Sequence, residues 1–145
     1  MAVEIVKGNL FTYPCWVKVC TVNTVGAMGA GIAYGYRDRF PDGYWRYKKR
    51  CQKGLFKVTD LLVQKNGNEW WILFPTKMDW KADSKLEWIE HNLTRLTALC
   101  TEYKVSRIAI PWLGCRNGGL TRDEVLPLIE RAFEGHSTLC LIVDR

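Results

Sequence analysis

Two glycine-rich stretches carry the residue types that bind phosphate. The first reads Asn23-Thr24-Val25-Gly26-Ala27-Met28-Gly29-Ala30-Gly31-Ile32-Ala33, the second Pro111-Trp112-Leu113-Gly114-Cys115-Arg116-Asn117-Gly118-Gly119-Leu120. Each follows an apolar run and leads into a segment of helical spacing. Glycines in that setting let successive backbone N–H groups converge on phosphate oxygens, and the positive end of the following helix adds to the attraction. One such loop is often only a tight turn; two in one short chain favour a shared anionic ligand. Neither is a Walker A sequence, because no Gly-Lys-Ser/Thr follows at the required distance. Gly26, Gly29 and Gly31 give GxxGxG, not the GxGxxG of a dinucleotide fingerprint. ATPase and ordinary dehydrogenase chemistry are therefore disfavoured. Cys115 lies inside the second loop, but neither His91 nor His136 has a visible reason to stand beside it, so a Cys–His nucleophile is not supported.

The elements that must position these loops can be read from periodicity. Apolar, β-branched runs predict strands over 2–6 and 16–22, ending at Gly8-Asn9 and Asn23-Thr24. Residues 29–40 have helical spacing with Ile32, Tyr36 and Phe40 on one side. Pro41-Asp42-Gly43 then reads as a break before a basic helix over 44–51. Strands over 58–64 and 70–74 flank the hairpin signal Asn66-Gly67-Asn68. A long helix is expected from Ser84 to about Tyr103, with Ser84 as its cap and Glu87 completing a capping box. A strand over 107–110, a helix over 121–133 capped by Thr121 with Glu124, and a strand over 138–143 complete the chain. Strands alternating with helices, plus one hairpin, predict an α/β fold with a mixed sheet.

Composition agrees with that architecture. The chain has 145 residues, 48% of them hydrophobic and 25% charged, which suits one globular domain over 1–145 and excludes disorder as the main state. A formal charge of +6 favours polyanionic partners such as nucleic acid or phosphate-bearing ligands. The mid-chain apolar run Trp70-Trp71-Ile72-Leu73-Phe74-Pro75 is far too short to span a membrane, and the first nine residues lack a signal-peptide core. A cytoplasmic monomer is the expectation. The six cysteines form no CxxC pair and no metal-ligand cluster with the two histidines, so reduced thiols are expected, with no metal site and no cofactor.

Glu4-Ile5-Val6-Lys7-Gly8-Asn9-Leu10, Val22 to Ala33, Phe74-Pro75-Thr76-Lys77 and Ile110 to Leu120 resemble, in order and spacing, the macrodomain family. The nearest likeness is to the branch holding the DarG antitoxins and the terminal ADP-ribose protein glycohydrolases, and it covers nearly the whole chain. The resemblance implies a three-layer α/β/α sandwich that binds ADP-ribose across its sheet. It places Asn9 and Leu10 beside the adenine and Asn23 at the distal ribose. Gly26, Met28, Gly29, Ala30, Gly31 and Ile32 would wrap the diphosphate and distal ribose. Leu113, Gly114, Cys115, Arg116, Asn117, Gly118, Gly119 and Leu120 would close over the phosphates from the other side. Asn9 stands where many macrodomains carry aspartate, so its amide accepts a hydrogen bond from adenine without charge.

The resemblance also makes Lys77 the catalytic residue. An amine attacks only when deprotonated, which calls for desolvation or a cationic neighbour; Phe74 and Trp80 are candidates for the apolar wall and Arg116 for the charge. Schiff-base formation with the opened ribose and general-base assistance both fit. Protein-directed members of the branch carry an aspartate in the second loop, whereas here no carboxylate follows Cys115 until Asp123, as in the DNA-directed antitoxins. The implied activity is a mono-ADP-ribosyl hydrolase acting on ADP-ribosylated nucleic acid, thymidine-linked DNA first, with protein acceptors next. An ADP-ribose 1''-phosphate phosphatase and a non-catalytic ADP-ribose reader are the alternatives. Separately, Tyr44-Trp45-Arg46-Tyr47-Lys48-Lys49-Arg50 interleaves cations with aromatics, as either a phosphate-tracking surface or a solvated helix face.

Overall fold

The computed structural model describes residues 2–79, 83–115 and 118–145. Among them the elements run β1 (Val3–Lys7), β2 (Val17–Asn23), α1 (Gly31–Arg39), α2 (Pro41–Gln52), β3 (Leu62–Asn66), β4 (Glu69–Lys77), α3 (Leu86–Glu102), β5 (Arg107–Ile110), α4 (Arg122–Phe133) and β6 (Leu139–Asp144). The strands form one sheet in the order β1-β6-β5-β2-β4-β3, parallel throughout except for β3, which pairs antiparallel with β4 across the expected hairpin.

Both faces of the sheet are covered, and β4 shows how. Its Trp-Trp-Ile-Leu-Phe run is continuous because a strand buried on two sides needs apolar residues at every position. Trp71 and Leu73 join Cys20, Val22, Tyr36 and Tyr47 in the core beneath α1 and α2. Ile72 and Phe74 point the other way, to Val19, Ile89, Leu93, Val125 and Ile129 beneath α3 and α4. The result is the expected three-layer α/β/α sandwich with a mixed sheet. No helix among the described residues is long and apolar enough to cross a membrane.

Two local expectations are corrected. The expected break between two helices is present, but it falls at Phe40: Pro41-Asp42-Gly43 is already the first turn of α2, with Phe40 at the N-cap. Proline suits that position because its missing N–H would have no intrahelical partner there, and Asp42 complements the helix dipole. Ser84 does not cap α3, whose N-cap is Lys85 with no side-chain capping bond. Ser84 is instead buried, and its backbone N–H donates to the Gly118 carbonyl at 2.8 Å. By contrast Thr121 and Glu124 form the reciprocal capping box expected at the start of α4.

The order of the strands creates the site. β2 and β5 are neighbours, yet the chain leaves β2 for α1 on one face and leaves β5 for α4 on the other. Loops that diverge from adjacent strands open a crevice at their carboxyl ends, which is where ligands of such sheets bind.

Candidate functional site

At that switch point lies a cleft of about 940 Å³. β2 contributes Thr21, Val22 and Asn23, β4 contributes Thr76 and Lys77, and β6 contributes Val143 and Asp144. The first glycine loop lines one side with Ala27 and residues 29–32, and Gly114, Cys115 and Gly118 of the second line the other. A smaller hollow of about 460 Å³, bordered by Trp16, Trp70 and Tyr103, lies at the opposite ends of the strands and touches neither loop.

The first loop is shaped by one side chain. Asn23 Oδ1 accepts from the backbone N–H groups of Val25, Gly26 and Ala27 at 3.2, 3.2 and 3.3 Å, while its Nδ2 donates to the Ala27 carbonyl at 2.9 Å. The Tyr47 hydroxyl of α2 reaches across to donate to Asn23 O at 2.8 Å and Oδ1 at 2.9 Å. Burial pushes the Tyr47 phenol well above its ordinary range, so it stays protonated and remains a donor. The amide thus turns a flexible glycine stretch into a fixed curve of backbone.

The second loop is held by crowding. Ser84 packs so closely that a Cβ on Gly118 would run into its Oγ and come within 2.5 Å of the Gly114 carbonyl oxygen. Leu120 N–H closes the turn on that same carbonyl at 3.0 Å. Cys115 sits in this loop half-buried, and desolvation raises its thiol above the ordinary value. A protonated thiol is a poor nucleophile.

The far wall is an ion network. Arg122, at the start of α4, grips Asp144 with two bonds of 2.8 and 3.2 Å, and Lys7 donates to the same carboxylate at 3.2 Å. The Lys7 hydrogen bond, together with Arg122, holds the Asp144 carboxyl below its usual range. The Arg122 guanidinium also lies 5.0 Å from the Trp112 ring centre. Lys77 ends β4 in register with Asn23, is half-buried and lines the cleft. Among the described residues, no cluster of three His, Cys, Asp or Glu side chains is placed to hold a metal ion.

Comparison with known proteins gives this geometry its family. A family model described as "Macro domain" matches residues 19–129, which takes in both loops, Lys77 and most of α4. The chain belongs to the macro domain family. The macrodomain of Thermus aquaticus DarG superposes with a TM-score of 0.90 at 35% identity, covering 99% of this chain and 98% of that one. A structure described as Thermosipho africanus DarTG in complex with ADP-ribose superposes with a TM-score of 0.89 at 28% identity, covering 97% of this chain and 41% of that one. The curated protein named DNA ADP-ribosyl glycohydrolase from Thermus aquaticus is 39% identical over 133 residues, 89% of this chain and 37% of that protein. This chain spans little more than a third of the length of the curated relatives it matches.

In this macrodomain the residues singled out from sequence fall in different places. Asn23, Gly29, Ala30, Gly31, Ile32, Lys77, Gly114, Cys115 and Gly118 line the cleft together. Gly26, Met28, Leu113, Gly119 and Leu120 belong to the loops but not to the lining; Met28 and Leu113 are core residues that anchor each loop from behind. Asn9 and Leu10 stand off the lining: the Asn9 Oδ1 accepts the Phe11 N–H at 2.9 Å in its own turn, and Leu10 is buried. Arg116, Asn117 and Trp80 lie outside the described residues. Phe74, expected as an apolar wall for Lys77, faces the core beneath α3 instead. Thr21, Thr76, Trp112, Arg122 and Asp144 line the cleft without having been singled out. Arg122 did carry a signal: a cation in the first turn of a helix opposes the helix dipole, which points to a tertiary partner.

Proposed function

We propose that this macrodomain removes ADP-ribose from ADP-ribosylated DNA, thymidine-linked ADP-ribose above all, with Lys77 acting at the anomeric carbon. The observation that carries this reading is that Lys77 is the one primary amine among the described residues lining a cleft framed by two glycine loops. A ligand with two linked phosphates suits two loops that each present backbone N–H groups. The similarity to proteins named DNA ADP-ribosyl glycohydrolase, and to a DarTG structure described with ADP-ribose, supports both ligand and acceptor.

The other reactive groups of the cleft are poorly suited to the step. Cys115 is held as a thiol by desolvation. Asp144 is the one carboxylate side chain among the described lining residues, and Arg122 and Lys7 both engage it. In the reaction, the bond between the anomeric carbon and the base breaks; water supplies hydroxyl to the ribose and a proton to the base. Lys77 serves either by adding its amine to the anomeric carbon as the base leaves with a proton, the ribose ring then opening to an imine that water hydrolyses to ADP-ribose and the free amine, or by taking the proton from the attacking water. Borohydride trapping separates the routes, because only the imine is reduced to a stable protein–ADP-ribose adduct.

Lys77→Ala tests the assignment. The variant is expected to bind ADP-ribose within a few-fold of wild type by calorimetry, since backbone groups carry binding, yet to lose release of ADP-ribose from a thymidine-modified single-stranded oligonucleotide. Wild-type protein that cleaves only modified protein, only ADP-ribose 1''-phosphate, or binds without cleaving would replace this reading with the protein-directed enzyme, the phosphatase or the reader.

A further inference from the structure

The basic run on α2 is unused by the cleft chemistry, and the fold places it beside the site. Gly26 of the first loop rests on α2: a Cβ there would lie 3.3 Å from Lys48 Cγ and 3.4 Å from Cys51 Cβ. The helix divides cleanly. Tyr44 and Tyr47 are buried against the sheet, while Trp45, Arg46, Lys49 and Lys53 face outward. An indole 54% exposed on a helix surface is unusual for so large an apolar group.

At the border of this face cations pack on the exposed Trp45 ring and on the buried Tyr44 ring behind it. The Arg37 guanidinium of α1 lies 4.5 Å from the Tyr44 ring centre. Lys48 Nζ lies 5.6 Å from the same ring and 5.4 Å from the Trp45 ring, and donates to the Tyr44 hydroxyl at 3.3 Å. Trp45 in turn meets Tyr44 edge-on with centroids 5.5 Å apart. These contacts fix Trp45 in place before any partner arrives. Arg46, Lys49 and Lys53 flank it on the outward side, with Asp42 the one acid of that helical stripe.

We infer that this face of α2 is the track for a single strand of nucleic acid running out of the cleft, with a base stacked on Trp45 and phosphates on Arg46 and Lys49. A preformed ring between cations fits a strand whose bases are free to stack; a duplex would offer the cations its phosphates but hide its bases from the indole. The inference rests on the glycohydrolase reading for the cleft, and it adds the means by which a polymer is preferred over an isolated modified nucleoside.

The test compares wild type with Trp45→Ala and with the double variant Arg46→Gln/Lys49→Gln, after circular dichroism and melting confirm the fold. Three readouts are used: anisotropy of an unmodified thymidine 15-mer (a probe of about that length), ADP-ribose release from a modified oligonucleotide, and release from ADP-ribosylated thymidine alone. Trp45→Ala is expected to weaken oligonucleotide binding about tenfold, the loss of one stacked base. The double variant should flatten the slope of log affinity against log salt by about 1.4, two phosphate contacts on a single strand. Both should lower kcat/KM on the oligonucleotide and leave the nucleoside unchanged. Equal losses on both substrates, unchanged oligonucleotide binding, duplex binding as tight as single-strand binding with no effect of Trp45, or binding to vesicles of anionic lipid in place of the oligonucleotide would each overturn the assignment. If wild type cleaves neither modified substrate, the glycohydrolase reading fails, and anisotropy still decides the α2 surface by the same criteria.

Discussion

Asn23 directs its amide at the protein and not at the open cleft. Its oxygen gathers three backbone N–H groups and its nitrogen takes a carbonyl, so the loop that would meet a diphosphate is already curved. Tyr47 locks that arrangement from behind. Tyr47→Phe keeps the ring in its buried site but removes the donor to Asn23 O, while Oδ1 keeps its three backbone N–H groups; loss of that buried bond costs about 1–3 kcal/mol. The expected outcome is a lower midpoint in urea and several-fold weaker ADP-ribose binding by calorimetry, with the Lys77-dependent step unchanged once ligand saturates. At this scale the sequence showed which residue types gather at the site but not how their polar atoms are shared. An asparagine before a glycine loop reads as a ligand contact or as a turn-former with equal ease, and only the position of Tyr47, brought in by a different helix, decides between them.

The elements themselves were largely legible, and the exceptions share a cause. Thr121 and Glu124 lie within four residues of each other, so their capping box depends on local chain geometry alone and appears as expected. Ser84 and Glu87 have the same spacing, but Ser84 is drawn into contact with Gly118, and that tertiary contact displaces the cap. The hairpin over Asn66–Glu69 was readable for the same local reason that made the α4 cap readable. The packing of Ser84 on Gly118 gives a prediction for the loop as a unit. Gly118→Val forces a branched side chain against Ser84 and the Gly114 carbonyl, an overpacking that costs about 1–3 kcal/mol. Displacing the loop in this way should weaken ADP-ribose binding by about tenfold or more, read as lost heat in calorimetry and a lost thermal shift.

Across the whole molecule, strand order was the least legible property, because every pairing except the β3–β4 hairpin joins residues far apart in sequence. Nothing near Lys7 announces that Asp144 will stand beside it, yet they are bonded, and Arg122 completes the knot that ties β1, β6 and α4 to one wall of the cleft. The knot has a pH signature. Lys7 and then Arg122 depress the Asp144 carboxyl in the folded state. Its stabilising effect is therefore fully present above the unfolded carboxyl value of about 3.9 and disappears as pH falls through the lower folded value. Asp144→Asn should lower Tm at neutral pH, where wild type holds the charge, and approach wild type as pH falls through the depressed folded value and the carboxyl takes up its proton. Melting curves across that range, at low salt, would show the two acid limbs converging. Parallel limbs would mean that the carboxylate contributes no charge-dependent stability.

The last strand of the sequence is not at the edge of the sheet but between its first strand and the rest. During synthesis on the ribosome, β1 is made first and has no neighbour until residues 139–144 have left the exit tunnel. Until then β5 presents an unpaired edge and β1 has no strand to pair with, a stage at which strand edges invite pairing with other chains. The cleft is unfinished for the same interval, since Val143 and Asp144 are part of its wall. Completion of the fold and completion of the binding site are thus a single event, set by the arrival of the sixth strand.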